Sequence, residues 1–332
     1  MTYKLFLGPM SKNVIEAVIG LNLPLVLIPS RRQVEYDSGY TGFTTKDLFE
    51  QTRGTNVKLC RDHAGPHQGK VKDDGLLSLS EDAKYMDLIH IDPWKVATGY
   101  EDGKKRTKEL IEYCLSINSK LKFEVGTEEA IFKYEPNFLD RLLFDLRSEL
   151  GRNYNSIQYG VVQSGTGLDL PGRKNTGTFD KNRLEHFLQI CRDNNVLSKE
   201  HNGDFLVDNF GIQKRFELGL DAINIAPELG QVESEFFIYN LLKSSTPLFK
   251  KLVDICSEDK SRWSKWIVGK RTLSDIEIIL TAGHYQFNSL SFINGIKSYF
   301  PYSDFEIQEL IKTLIKKMFI QAYGSETKDY NL

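Results

Sequence analysis

The sequence predicts an α/β protein: a (β/α)8 TIM barrel with a helical appendage at its C-terminal end. Short apolar segments alternate with amphipathic helical segments over the first 244 residues, which is typical of parallel α/β folds. Eight apolar segments can be counted, and their span fits the roughly 250 residues of such a barrel. After residue 244 only helical patterns follow. We therefore expect a barrel over residues 1–244 and a helical extension over residues 245–332.

The predicted strands are short apolar runs. The run PLVLIP is continuously apolar, as expected for a strand buried on both faces of a parallel sheet. The strand segments are 4–8, 24–29, the start of 57–67, 88–93, 121–125, 157–162, 196–201 and 222–226. The helical segments are 11–21, a helix starting near 44, 101–118, 137–150, 181–194, about 205–218, 232–242, 248–256, 273–281, 288–299 and 304–323. A doubly wound open sheet is the alternative, although no GxGxxG motif follows the first strand.

The composition excludes several classes of protein. A formal net charge of −2 gives no electrostatic basis for binding nucleic acid or an anionic membrane. No apolar run approaches the roughly 18 residues that span a bilayer, and the N-terminus lacks the pattern of a signal peptide. The four cysteines lie far apart without a CxxC pair, which indicates reduced thiols. We expect a cytoplasmic protein.

Polar side chains gather where the predicted strands end. The stretch VKLCRDHAGPH delivers Asp62 and His63 into a Gly/Pro loop, and a later strand ends in Glu200 and His201. The C-terminal ends of barrel strands meet on one rim, where side chains converge on a pocket. Acids and imidazoles together suit a divalent metal, zinc above all. Other polar residues at strand ends are Asp92, Glu124, Glu128, Gln163 and Asn224.

Less specific roles are also open to these residues. Some of the acids are expected to cap helices or pair with nearby Lys and Arg. For His90, two residues before Asp92, packing in the core is the favoured interpretation, and the role of His67 is open.

Cationic residues also lie near the predicted rim, where solvation is their default role. With the glycine-rich SGTGL and HNGDF loops they would also suit a phosphorylated substrate. The cations are Arg31, Arg32, Arg61, Lys95, Arg173 and Lys174. The residues that we expect to bind the substrate or its phosphate are Arg31, Gln33, Ser164, Gly165, Asn202 and Asn224.

The order of several motifs resembles a known family, the Z-type subunits of class II tagatose-bisphosphate aldolase, which are described as non-catalytic and are also associated with tagatose-6-phosphate 4-epimerisation. The resemblance covers nearly the whole chain. It rests on the segments SRRQVEYDSGYTGF, RDHAGP, IHIDPWK, FEVGTEE, VVQSG, KEHNGDF and SYFP.

The resemblance implies a metal-dependent (β/α)8 enzyme, with Asp62 as the acid and base and with His63 and His201 as metal ligands. A further histidine of the wider superfamily has no counterpart here, because its strand ends in Gln163, Ser164 and Gly165. Glu128, Glu124 or Gln163 with water could fill that place. Asp92 and Glu124 are further candidates for catalysis.

Three functions remain open from the sequence. The first is retro-aldol chemistry on a ketose phosphate, either as an aldolase or as a 4-epimerase that cleaves and religates. The second is a stabilising subunit of a catalytic class II aldolase. The third is an isomerase that acts by proton transfer alone. We expect a homo-oligomer or a partner of an aldolase subunit. The aromatic residues of the extension either pack against the barrel or cover its mouth through the AGHYQF and KSYFP segments.

Overall fold

A computed structural model of the chain describes residues 3–127, 135–269 and 271–330. Its strands are β1 (Leu5–Leu7), β2 (Val26–Leu27), β3 (Lys58–Ala64), β4 (Leu88–Ile91), β5 (Lys122–Val125), β6 (Ile157–Val162), β7 (Thr166–Asp169), β8 (Lys174–Gly177), β9 (Leu197–Glu200) and β10 (Ala222–Ile225). Eight of these described strands close a parallel barrel in the order β1-β10-β9-β6-β5-β4-β3-β2. The predicted (β/α)8 fold is confirmed. The strands β7 and β8 form a separate antiparallel hairpin where the sequence suggested a glycine-rich loop.

Helices surround the barrel and continue after its last strand. They are α1 (Lys12–Leu21), α2 (Thr45–Thr52), α3 (Leu76–Tyr85), α4 (Tyr100–Ile117), α5 (Pro136–Leu150), α6 (Lys181–Asp193), α7 (Gly211–Glu217), α8 (Pro227–Ser244), α9 (Thr246–Ser257), α10 (Asp275–Ala282), α11 (Leu290–Gly295) and α12 (Ser303–Tyr323). The sequence did not predict α3. It placed the start of α7 too early, because Phe205 and Phe210 adopt left-handed backbone conformations that interrupt a helix.

Strand side chains alternate between the barrel interior and the surrounding helices. The apolar interior residues are Phe6, Val26, Ile28, Cys60, Leu88, Tyr159 and Ala222. Because the alternation has a period of two, the position two residues after an interior residue also faces inward. Cys60 is therefore followed by Asp62, and Leu88 by His90. The polar residues at the C-terminal strand ends thus lie next to the apolar residues that fill the barrel interior.

The C-terminal extension packs against the first helix and strand. Asn13 Nδ2 donates a hydrogen bond to Asp304 Oδ1 at 3.0 Å, and the backbone N–H of Lys4 donates to Tyr323 Oη at 3.0 Å. Trp263 and Tyr285 are buried in the main apolar core. These contacts give Trp263, Tyr285 and Tyr323 a packing role, whereas Tyr299 of the KSYFP segment is exposed. The division near residue 244 stays a prediction.

Two other observations bear on the predicted environment of the chain. All four cysteines are free and buried. Among the described helices, none is both long enough and apolar enough to cross a membrane.

Candidate metal centre and active site

Four potential metal ligands converge at the C-terminal ends of β3, β4 and β9. Asp62, His63, His90 and His201 each offer one ligand atom, and these atoms all lie within 4.8 Å of one another. The ring centroid of His90 is 4.8 Å from that of His63 and 5.1 Å from that of His201. Three different strands thus bring three imidazoles and a carboxylate to one point.

An irregularity in β3 lets two consecutive residues reach this point. Neighbouring residues of a regular strand face opposite sides, so Asp62 and His63 would normally diverge. The register between β3 and β4 shifts between Arg61 and Ala64, and His63 has a φ of 48°. The resulting bulge turns His63 towards the side that Asp62 faces. A left-handed residue with a Cβ costs about 1–2 kcal/mol, and such strain is often found at functional sites.

This backbone strain can be measured at His63. Glycine removes the left-handed cost of about 1–2 kcal/mol, which exceeds the roughly 0.5–1 kcal/mol that glycine costs in a strand. We expect metal-free His63→Gly to unfold with a free energy about 0.5–1 kcal/mol higher than that of His63→Ala in urea titrations. The glycine and alanine variants of His186, which is exposed on α6, are the control. At that position the alanine variant should be the more stable by about 1 kcal/mol. An alanine variant at position 63 as stable as the glycine variant would contradict a strained backbone.

Each of the three imidazoles has a hydrogen-bond acceptor on one ring nitrogen, as metal-bound histidines commonly do. The pairs are His63 Nδ1 with Asp92 Oδ2 at 2.6 Å, His90 Nε2 with Gly126 O at 3.2 Å, and His201 Nε2 with Glu124 Oε1 at 2.7 Å. Such an acceptor fixes the orientation of the ring to which it is bonded.

The second ring nitrogen of His90 supports this interpretation most directly. His90 is fully buried, and its Nδ1 has no hydrogen-bond partner among residues 3–127, 135–269 and 271–330. This atom lies 4.0 Å from Asp62 Oδ1. A buried polar atom without a partner is costly, and a bound ion would satisfy it. Three imidazoles with a carboxylate fit Zn²⁺ and similar divalent ions.

A buried ion pair lies behind His201. The side chains of Glu124 and Lys199 are both fully buried and bonded to each other, and Lys199 Nζ lies 4.1 Å above the centre of the Phe6 ring. Burial alone would raise the pKa of the Glu124 carboxyl, but Lys199 and the nearby imidazoles hold that pKa well below its usual range. Glu124 is therefore an ionised acceptor behind His201.

We expect Lys199→Met to lower the free energy of unfolding by about 3–5 kcal/mol, because it leaves the Glu124 carboxylate buried without its cation. Adding Glu124→Gln should restore most of that loss, since replacing both members of a buried pair is often neutral. Zinc affinity should stay about 10–100-fold below wild type in the double variant, because the charged acceptor behind His201 is gone. Urea titration and zinc titration measure the two effects separately. A double variant as unstable as Lys199→Met would contradict the pairing.

Other predicted residues of the site lie around the cluster. Asp92 accepts from the backbone N–H of Trp94 at 3.3 Å in addition to its contact with His63. Gln163 Nε2 donates to the carbonyl of Thr127 at 3.2 Å. Asn224 is buried at the end of β10, and within the described part of the chain its Oδ1 has no partner. Glu128 lies outside the described residues.

The cations Arg31 and Arg61 do not lie on a solvated rim. The Arg31 guanidinium is buried and bonds to Glu35 at 2.6 Å and to both carboxylate oxygens of Asp73 at 2.8 and 2.7 Å. Arg61 is fully buried against Asp82. Both side chains join elements of the fold, and their donors are directed at protein acceptors.

The remaining residues that we expected to bind substrate are mostly engaged in the structure. Gln33 Nε2 contacts the sulfur of Met10 at 3.0 Å, and the backbone N–H of Ser164 donates to Glu200 at 2.9 Å. Gly165 and Asn202 have left-handed φ angles of 89° and 60°. These two shape the loops after β6 and β9.

The sequence interpretation missed His90, for which core packing was favoured. The residue is indeed fully buried, but its ring belongs to the cluster. The sequence did contain a signal for His90 as a site residue. His90 and Asp92 share one face at the end of their strand, and Asp62 lies at the end of the preceding strand. The third imidazole therefore comes from β4, and the sequence had sought the missing ligand on other strands.

The sequence matches no protein-family model and no curated protein. Solved structures with a similar fold include a probable tagatose 6 phosphate kinase from Sinorhizobium meliloti 1021, with a TM-score of 0.73 and 15% identity over 96% of this chain and 100% of that one. The fructuronate-tagaturonate epimerase UxaE from Cohnella laeviribosi has a TM-score of 0.62 and 12% identity over 97% and 81% of the two chains. The YdjI aldolase from Escherichia coli K12 has a TM-score of 0.55 and 11% identity over 98% of this chain and 93% of that one. At these identities the likeness shows a shared fold.

Proposed function

We propose that the protein is a metal-dependent enzyme of the class II aldolase type that performs retro-aldol chemistry on a ketose phosphate such as tagatose or fructose (bis)phosphate. The observation that carries the proposal is the convergence of Asp62 and three imidazoles, each held by a hydrogen-bond acceptor, at the mouth of a closed barrel. The resemblance to Z-type subunits and the aldolase and epimerase among the similar structures support it.

The residues of the cluster divide into those that would bind the metal ion and one that would transfer a proton. His63, His90 and His201 would hold the divalent ion, with zinc the best match to imidazole ligands. A bound ion would supply a Lewis acid that polarises the ketose carbonyl during carbon–carbon cleavage. Asp62 stands beside the imidazoles and is one-fifth exposed, so a substrate hydroxyl can reach it. We assign Asp62 to the transfer of the hydroxyl proton, a form of help worth about 10²–10⁴-fold.

Epimerisation is the second candidate, because cleavage, rotation of the aldehyde and religation use the same groups. The specific observation in its favour is that one similar structure is a fructuronate-tagaturonate epimerase covering 97% of this chain. Release of the aldehyde would make the protein an aldolase, and its retention would make it an epimerase.

The test is an assay of the purified chain alone, stripped with chelator and then reloaded with Zn²⁺. Ketose mono- and bisphosphates are offered separately, and products are identified by NMR. Triose products would support the aldolase, and a C4 epimer would support the epimerase. If the zinc-loaded chain converts none of these substrates alone but raises the activity of a class II aldolase subunit, the proposed enzyme activity is wrong and the stabilising subunit is favoured.

A further inference from the structure

A pocket lined by charged side chains and tyrosines opens on the same face of the barrel as the metal cluster. It has a volume of about 260 Å³ and is lined by Arg32 and Tyr40 from the loop after β2, by Lys70 from the loop after β3, and by Arg262 and Tyr285 from the C-terminal extension. Loops that follow parallel barrel strands lie at the C-terminal face. The extension therefore completes a pocket at the rim of the proposed active site.

The pocket carries an excess of positive charge. Arg262 Nε pairs with Asp259 Oδ2 at 2.5 Å, and Asp259 is the acid among the lining residues. Lys70 Nζ donates to the carbonyl of Ser38 at 3.0 Å and has no acidic partner among the described residues. The guanidinium of Arg32 is half-buried, yet it makes no hydrogen bond or ion pair with the described part of the chain. Arg32 and Lys70 therefore have no counter-charge from the part of the chain that the structure describes.

Arg31, the residue before Arg32, differs from it in having acidic partners. The guanidinium of Arg31 is bound by Glu35 and by both oxygens of Asp73. Arg32, one residue later, lines the pocket and pairs with no such acid among residues 3–127, 135–269 and 271–330. A half-buried guanidinium with five free donors is suited to a planar or tetrahedral oxyanion.

Tyr285 adds a neutral donor. Its hydroxyl oxygen accepts a hydrogen bond from Trp266 Nε1 at 3.0 Å, which leaves its own proton to be donated elsewhere. Burial raises the pKa of this hydroxyl, so that it stays protonated at neutral pH. Guanidinium, ammonium and hydroxyl donors thus line a single pocket.

The pocket lies within reach of the cluster. Ser30 pairs with Asp62 across β2 and β3, and neighbouring strands lie about 4.8 Å apart. Arg32 follows Ser30 by two residues, so their Cα atoms are at most about 7 Å apart. The Cα atoms of Arg32 and Asp62 are therefore at most about 12 Å apart, a span that an extended ketose phosphate and the Arg32 side chain can cover together.

We propose that this pocket binds the phosphate monoester of the substrate through Arg32, Lys70, Arg262 and Tyr285. The inference rests on the proposed function and names the phosphate subsite of the same active site. A phosphate ester carries about −1.5 to −2 charges at pH 7, which matches the two uncompensated cations better than a single carboxylate does. Its oxygens can accept a bidentate pair of hydrogen bonds from Arg32.

Binding of inorganic phosphate tests the proposal without any turnover. The full chain is titrated with inorganic phosphate by calorimetry at constant ionic strength, and acetate serves as the carboxylate probe. Arg32→Gln and Arg262→Gln are each expected to weaken phosphate binding about 10–100-fold, and Arg32→Lys to restore part of it. Arg152→Gln is the matched control, because Arg152 is exposed in the segment that precedes β6 on the opposite face. Unchanged zinc content and unfolding temperature show that each variant is folded.

The outcomes separate this inference from the proposed function. Arg32-dependent phosphate binding supports the subsite even if no ketose is turned over, in which case only the proposed reaction fails. If turnover is found, Arg32→Gln should raise KM for the ketose phosphate, whereas Arg152→Gln should leave that KM unchanged. The subsite is wrong if phosphate does not bind the wild-type chain, if Arg32→Gln binds it as wild type does, or if acetate binds more tightly than phosphate.

Discussion

Replacing His90 with alanine is expected to remove the bound metal and to abolish turnover while the barrel stays folded. His90 is fully buried, and its Nδ1 has no protein partner within the described residues. The loss should exceed the 10–100-fold that is typical when an outer hydrogen-bond partner of a ligand is removed. Zinc is measured by mass spectrometry of the purified protein after growth with zinc, and folding by circular dichroism.

Two substitutions keep this experiment interpretable. His90→Gln retains most of the side-chain volume, so it separates loss of the ligand from the cavity that alanine leaves. His186→Ala removes an exposed imidazole from α6 and should keep full zinc content. If both His90 variants bind stoichiometric zinc with wild-type affinity, His90 is not a ligand and only packs in the core. Glu128 or Gln163 would then be the candidates for the third ligand.

The barrel could be predicted because its strands have a strong local signal. Strands buried on both faces are short continuous apolar runs, and such runs stand out between amphipathic helices. The hairpin of β7 and β8 gives no such signal, because it is polar, rich in glycine and only partly buried. The start of α7 depended on the backbone angles of Phe205 and Phe210, which the side-chain pattern does not reveal.

The candidate site was predictable only in part. Asp62 and His63 are visible as polar residues that end an apolar strand, and Glu200 and His201 end a later strand in the same way. His90 required knowledge of the register between β3 and β4, since only barrel closure brings its ring to the other two. The bulge at His63 is equally invisible in the sequence, and without it Asp62 and His63 would face opposite sides.

The two neighbouring arginines show the same limit. Arg31 and Arg32 are adjacent cations after the same strand, and the sequence interpretation assigned phosphate binding to Arg31. A hint existed in the spacing of Arg31 and Glu35, which are four residues apart and form an ion pair at 2.6 Å. The decisive partner, Asp73, comes from a distant loop. The fold therefore decides which of the two guanidinium groups remains for a ligand.

Asp62→Asn should reduce turnover about 10²–10⁴-fold while the metal is retained. Asparagine preserves the shape of the side chain but cannot take up a proton. The carboxylate is one-fifth exposed, and its Oδ1 lies 3.9 Å from His63 Nε2 and 4.0 Å from His90 Nδ1. These distances place Asp62 next to one ring nitrogen each of His63 and His90, at the proposed ion site. Turnover is measured at saturating ketose phosphate and zinc, with the zinc content of the same samples determined in parallel.

Asp92→Asn is the matched control, because Asp92 contacts His63 Nδ1 at 2.6 Å from behind the ring. This substitution should weaken zinc binding about 10–100-fold, and excess zinc should recover most of the turnover. Excess zinc should not rescue Asp62→Asn, since that variant lacks the proton acceptor and not the ion. If Asp62→Asn loses zinc and regains turnover when zinc is added, Asp62 is a fourth ligand. Unchanged turnover in Asp62→Asn would move the proton-transfer role to Asp92 or Glu124, and the low pKa of Glu124 makes Asp92 the first to test.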